Sequence, residues 1–230
     1  MARYACSDLH GRYDIYEKIC EILKPEDIVY FLGDACDRSS KGWPLIKAIY
    51  NNPQWVYLKG NHEDMLFKTL TEYFDPEYSS YYWYHMCIQN GGYQTFEDAV
   101  CDPEVKEWMI KINNLPTRME VRTNQGVICL CHSGRYFTAR PKEHLWDREH
   151  LNYPWSRDEN EYIVHGHTPT QIMREELMIP YKLKKEVIFY ANKHKINIDI
   201  GAVWTNEAAL LDLDTFKIHI VKGLIPENSQ

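Results

Sequence analysis

No run of about 18 apolar residues occurs anywhere in the 230-residue chain, so no membrane-spanning helix is expected. The N-terminal MARYACSDLHG has no basic segment followed by an apolar one, and no signal peptide is expected either. Cys-x-x-Cys spacing is absent. The seven cysteines, at 6, 20, 36, 87, 101, 129 and 131, are odd in number and fit neither a disulfide framework nor a zinc cage. They read as the reduced thiols of a cytoplasmic protein. An excess of basic residues is also lacking. A net charge of -7 argues against nucleic acid as the main partner, so the positive charge needed to handle a phosphate would be local or supplied by metal ions. No internal repeat, low-complexity tract or linker divides the chain, and its length suits one domain over 1–230.

What the chain does contain is an ordinary apolar share, 44%, with unusually many tyrosines, 17. The first third alternates between short β-branched or aromatic runs (RYACS, DIVYFL, QWVYL) and amphipathic stretches (YDIYEKICEILK, GWPLIKAIY, HEDMLFKTL). Strand-helix-strand-helix-strand is the signature of parallel βαβ units. About 73–112 reads as a helical, tyrosine-rich cap inserted on the sheet. From 115 onward strand-like runs return without obvious intervening helices, and their hairpin-like spacing predicts antiparallel pairing. The expected fold class is α/β in the mixed α+β sense: a β-sandwich of mixed sheets flanked by helices.

Five of these strands end alike, in a loop rich in Gly, Asp, His or Asn. ACSDLHG holds Asp8 and His10, FLGDACDRSSKG holds Asp34, Asp37 and Arg38, and YLKGNHED holds Asn61, His62 and Glu63. ICLCHSG adds His132, and YIVHGHTP adds His165 and His167. Burying such groups at strand ends is costly unless they are satisfied there. Asp8, Asp34 and Asn61 lie 26 and 27 residues apart, close to one βαβ repeat, so equal phase puts them at the carboxyl ends of a parallel sheet, where α/β proteins carry their sites. Oxygen and imidazole donors without thiolate suit divalent Mn, Fe or Zn in a catalytic setting. Six such groups are too many for one three-ligand ion and suit two ions sharing a carboxylate.

In this order the motifs Asp-Leu-His-Gly, Gly-Asp-Ala-Cys-Asp-Arg, Gly-Asn-His-Glu, His-Ser-Gly and Gly-His-Thr-Pro resemble the calcineurin-like metallophosphoesterases. More narrowly they resemble the phosphoprotein phosphatase branch with its bacterial and phage serine/threonine phosphatases. NGGYQT (90–95) and INIDIGAVW (196–204) add to the likeness. The resemblance implies that Asp8 and His10 hold a first metal, that Asp34 bridges, and that Asn61, His132 and His167 hold a second. It implies two divalent ions, Mn first, with Fe or Zn as alternatives, and a metal-bridging hydroxide as nucleophile. His62 would be the general acid, oriented by Asp37. Arg38 would grip the phosphate, and Asn61 would also face it. A second phosphate-binding arginine is either Arg148 or Arg157, with Arg148 favoured by the longer gap before His167. Three departures occur. Ser133 stands where the family has Ala, Thr205-Asn206 stands where a glycine pair often follows, and Pro169 stands where many wider relatives carry a second His.

Blander readings apply elsewhere. Glu63 and Asp64 suit the first turn of a helix through its dipole. His165 reads as a strand or supporting residue, and His85, His144, His150, His194 and His219 read as surface or satisfied histidines. Cys129 and Cys131 share a strand face and read as core. The functional expectation is a serine/threonine protein phosphatase acting on a phosphorylated protein or peptide, or on a small phosphoester, with no nucleic-acid or membrane partner. A dinucleoside polyphosphate hydrolase shares the five motifs and is the alternative. A binding module with an inert metal site is the alternative outside catalysis, and its sign, a lost ligand, is absent.

Overall fold

The structure is a computed structural model that describes residues 1–75, 77, 81–155, 157–176 and 186–224. Its first sheet begins with β1 (Arg3–Cys6), β2 (Ile28–Phe31) and β3 (Trp55–Tyr57), paired in parallel in that order. The connections between them are α1 (Tyr13–Ile22) and α2 (Gly42–Asn51). Alternation along each strand sorts the side chains. Cys6, Val29, Phe31, Trp55 and Tyr57 face the helices, while Ala5, Leu32 and Leu58 face the opposite way. The amphipathic faces of α1 (Ile15, Ile19) and α2 (Leu45, Ile46, Ile49) close over the first set.

After β3 comes α3 (Asn61–Phe74), whose buried stripe is Met65, Leu66, Thr69 and Leu70, and which ends where Asp75 precedes a proline in the sequence. The helices α4 (Tyr82–Gln89), α5 (Tyr93–Val100) and α6 (Val105–Asn113) follow, with α4 and α6 packed on α3. Positions 76 and 78–80 of the tyrosine-rich stretch lie outside the described residues.

A second sheet is built from β4 (Arg118–Thr123), β5 (Gly126–Cys131), β6 (Glu161–His165), β7 (Ile188–Tyr190) and β8 (Lys195–Asn197). Its order is β4-β5-β6-β8-β7. Two final strands, β9 (Glu207–Asp212) and β10 (Ile218–Lys222), return to the first sheet antiparallel beside β1. Ala5, Leu32, Leu58 and Leu211 from one sheet meet Ile128, Leu130, Val164 and Ile196 from the other, which makes a sandwich core. The expected α/β sandwich is therefore the observed one, except in one respect. The β5-β6 and β6-β8 pairs are parallel, not antiparallel. Parallel pairing needs a crossover of a dozen or more residues. Here it is supplied by 132–160, whose described residues carry only short 3-10 turns, and by the segment containing α7 (Thr170–Glu176), a helix that the strand-only reading of this region passed over.

Candidate metal centre

Because β1, β2, β3, β5 and β6 all run the same way within their sheets, their carboxyl ends deliver five loops to one edge of the sandwich. Backbone bonds lock those loops together: Asp8 N donates to Gly33 O (3.0 Å), His10 N to Asp34 O (2.9 Å) and Gly166 N to His132 O (2.9 Å). The second and third loops can lie together because Gly33, at φ +99°, abuts Gly60 and Gly60 abuts Asp34, leaving no room for a Cβ on either glycine. Asp8, His10, Asp34, Asp37, Arg38 and His167 all have φ between 45° and 71°, in the left-handed region. Such conformations cost of order 1 kcal/mol or more each and persist only where surroundings impose them, so their concentration here marks a site.

Two groups of ligand atoms converge. His10, Asp34 and His62 each bring one atom to within 4.8 Å of the others, and Asp34, His132 and His167 do the same, so Asp34 is common to both. Asn61 Oδ1 joins the second group, 2.7 Å from His132 Nε2 and 2.9 Å from His167 Nδ1. Asp8 turns its carboxylate toward the His167 backbone N–H (3.0 Å) and the Ser7 hydroxyl, close to both groups but inside neither. The imidazoles are held from behind. His10 Nδ1 lies 2.8 Å from Cys36 O and His132 Nδ1 2.8 Å from Leu32 O, which leaves each Nε2 facing Asp34. That backing by carbonyls is how metal-ligating histidines are usually oriented. Among the described residues His167 Nε2 is buried without a partner. Buried oxygen and nitrogen donors, oriented rings and an orphaned imidazole nitrogen together fit divalent cations.

The electrostatics of the ion-free cluster show how much charge it concentrates. Burial would raise the Asp34 carboxyl, but the charges of His132 and His62 outweigh it and hold the group well below its usual range. Burial pulls His132 down, yet Asp34, by charge and hydrogen bond, and then Asp8 lift it to about 10. His10 and His167 are pushed well below 6.5, first by burial and next by the neighbouring imidazoles His62 and His132.

Beside the ligands lies a second arrangement. His62 Nδ1 is 2.6 Å from Asp37 Oδ2, and an Arg38 guanidinium N–H faces His62 Nε2 at 3.1 Å. Burial lowers the His62 pKa, but the Asp34 charge and the Asp37 bond more than reverse this, so it stands above the ordinary value. Of the two candidate arginines, Arg148 lies near enough to His167 for its charge to be felt there. Arg157 instead pairs with Glu161 (2.7 Å) and covers the Phe137 ring at 3.6 Å, away from the ligands.

Several residues of the site were not found by pattern. Glu63 is fully buried, and its carboxylate accepts from the backbone N–H groups of Asp34 (2.9 Å), Ala35 (2.7 Å) and Gly60 (2.7 Å) and from the Tyr57 hydroxyl (2.8 Å). It is a clamp on the Asp34 loop rather than a solvated acid of a helix end, and the Gly-x-x-Glu spacing was its available signal. Asp64, in the first turn of α3, is also buried and pairs with Lys68 at 2.7 Å. The NGGYQT stretch braces the Asp37–Arg38 turn: Gly91 O accepts Arg38 N (2.8 Å), and Thr95 Oγ1 accepts Asp37 N (3.1 Å). Trp146 lies beside the centre, 6.3 Å from His62 and 6.4 Å from His167 ring to ring, and Trp204 lines a small recess with His10, Arg38 and Asp199. Trp204 closes the INIDIGAVW stretch, whereas nothing in the local spacing singled out Trp146.

Residues 1–171 match the family described as calcineurin-like phosphoesterase. A comparison with curated proteins finds no match. Among solved structures, the chain is similar to a protein provisionally described as a diadenosine tetraphosphatase, at 13% identity and TM-score 0.64, covering 97% of this chain and 94% of that one. A serine/threonine protein phosphatase from Saccharomyces cerevisiae aligns at 14% identity and TM-score 0.56 over 99% and 82% of the two chains. A cold-active protein tyrosine phosphatase from a psychrophilic Shewanella aligns at 16% and 0.56 over 95% and 76%. At these identities the likeness is one of fold.

Proposed function

This chain belongs to the calcineurin-like phosphoesterase family and is a metal-dependent phosphoester hydrolase; within that class we propose that it is a two-metal phosphomonoesterase of the serine/threonine protein phosphatase kind, built as one domain with a helical cap over about 73–112. Asp8, His10 and Asp34 would hold one ion, and Asp34, Asn61, His132 and His167 the other. Mn is the first choice for this oxygen and imidazole set. When bound, the ions supply a nucleophilic oxygen from water near neutral pH and neutralise charge on the phosphate.

The observation that carries this reading is the Asp37–His62–Arg38 row beside the ligands. Arg38 binds the phosphate oxygens through its planar guanidinium, and Arg148 closes on them from the His167 side. As Arg38 turns to the phosphate it leaves His62 Nε2, which then faces the leaving oxygen. His62 donates its proton there, and Asp37 keeps the ring in place and favours its charged form before transfer. No Cys or Ser lies in a nucleophile motif, so no phosphoenzyme forms and configuration at phosphorus inverts.

Hydrolysis of dinucleoside polyphosphates is the second reading. It is favoured by one observation, the exposed Trp146 and Trp204 rings, one near His62 and His167 and the other near His10 and Arg38, which suit planar bases. Turnover of a phosphoserine peptide panel is compared with turnover of diadenosine tetraphosphate under saturating Mn²⁺. Higher kcat/KM on peptides supports the first reading, and higher kcat/KM on the dinucleotide replaces it with the second. No hydrolysis of any phosphoester would remove both and leave the binding module.

A further inference from the structure

A cavity of about 200 Å3 lies on the outer face of the second sheet, where Ile163 points away from the sandwich core. Its floor holds two buried groups that the proposed hydrolysis does not use. Lys195 on β8 is only 5% exposed, and its Nζ donates to the carbonyls of His150 (2.7 Å) and Tyr153 (3.0 Å). Among the described residues no carboxylate lies within ion-pair distance of it; its Nζ also stands 5.5 Å from the Tyr190 ring centroid, and one of its three N–H donors has no oxygen acceptor. Burial lowers this lysine to about 8, with Asp147 opposing from farther off, so the group is still charged at neutral pH.

His150 contradicts its sequence reading as a surface or satisfied histidine. It is 2% exposed, and among the described residues neither ring nitrogen has a partner in good hydrogen-bond geometry. Burial and then the Lys195 charge lower it to about 3, with a looser approach to the Asp147 backbone opposing in part, so the ring is neutral. The walls are aromatic: Tyr136, Phe137, Tyr153 and Trp155, with Trp155 stacked on His194 at 4.9 Å. The rim arginines are already matched, Arg135 to Asp147 (2.6 Å) and Arg157 to Glu161 (2.7 Å).

A structural strut would account for the two carbonyls that Lys195 ties together. It would not account for a recess that opens beside an ammonium without a counter-charge within ion-pair distance, since buried cations are costly unless paired. One unmatched cation calls for a monoanion, and a volume below the usual 300–1,000 Å3 range of ligand pockets calls for a small one. We propose that this cavity is a binding site for a small planar carboxylate, its oxygens taken by Lys195 Nζ and its ring held among Phe137, Tyr153 and Trp155.

Benzoate is the probe, titrated by calorimetry into the Mn²⁺-loaded protein, with benzamide as the neutral isostere. Saturable one-to-one binding of benzoate is expected, with benzamide and the Lys195→Met variant each weaker by about tenfold or more, the size of a lost hydrogen bond to a charged group. Asp34→Asn should leave benzoate binding unchanged, because its site is not the metal centre. Should Lys195→Met fail to fold, Phe137→Ala, at a residue 42% exposed, must weaken benzoate while benzamide stays weak on the parent protein. Absence of saturable binding, equal binding of the two probes, or loss of binding in Asp34→Asn would overturn the proposal.

Discussion

His62→Asn is the substitution that most directly tests the chemistry. In the proposed row, His62 gives a proton to the leaving oxygen, and the value of that proton depends on how badly the oxygen needs it. A serine alkoxide is a strong base, whereas nitrophenolate departs nearly unaided. General acid catalysis is worth roughly 10²–10⁴-fold, or about 2.7–5.5 kcal/mol at 1.36 kcal/mol per decade. His62→Asn should therefore cost that much in kcat on phosphoserine peptides and markedly less on p-nitrophenyl phosphate.

On this reading Asp37 would set the pH at which the acid is available. Its 2.6 Å bond to His62 is fully buried and favours the charged ring. Asp37→Asn should therefore lower the His62 pKa, and the limb on which activity falls as the acid loses its proton should move toward low pH. Arg38→Ala should depress both substrates alike, since gripping phosphate is indifferent to the leaving group. The rival role is visible in the geometry, because His62 Nε2 also lies 3.8 Å from Asp34 Oδ2 and belongs to one of the two ligand groups. Metal analysis beside the kinetics separates the two. Equal losses on both substrates, or loss of an ion from His62→Asn, would refute the acid and make His62 a ligand.

Four further outcomes are expected. Asp34→Asn should lower occupancy at both metal positions and His132→Ala chiefly at one; two tightly held ions in Asp34→Asn, by elemental analysis, would contradict the shared carboxylate. His132, lifted to about 10 in the ion-free protein, must lose a proton to ligate, so loading the second ion should release about one proton, and its apparent affinity should rise about tenfold per pH unit from 7 to 9. Calorimetry in buffers of different ionisation enthalpy counts that proton. Correspondingly, the stability that His132 lends the ion-free protein is complete below pH 6.5 and lost as pH approaches 10, which thermal melts on chelated protein can follow. Gly60→Ala would press a methyl group onto Asp34 and the Glu63 carboxylate. The expected cost is about 1–3 kcal/mol, with roughly 2–4 °C of melting temperature lost per kcal/mol, and a melt unchanged within 1 °C would show that the two loops can part.

The sequence made the strand ends legible because two local rules agreed there. Short β-branched or aromatic runs marked the strands, and the glycines and polar residues just beyond fixed where each strand stopped. Equal spacing then put Asp8, Asp34 and Asn61 in phase, a conclusion about a sheet edge that requires no tertiary information beyond parallel pairing. Where pairing itself had to be guessed, the reading failed: nothing local distinguishes β6 next to β5 in parallel from the same strand in a hairpin, because the connection over 132–160 carries little helix to announce a crossover. Glu63 shows the same limit at the scale of one side chain. A helix-start acid and a buried acceptor for the Asp34 and Ala35 amides look identical along the chain, since the donors stand 28 and 29 residues away. His150 and Trp146 were hidden for the same reason, both lying in the long 132–160 connection whose path is set by what it covers. Ligands are written into strand ends, where backbone geometry is regular, while the residues that hold or surround them are chosen by neighbours from other elements. A single buried carboxylate such as Glu63 can therefore matter as much to the Asp34 loop as any residue in the motifs, and still carry no signature of its own.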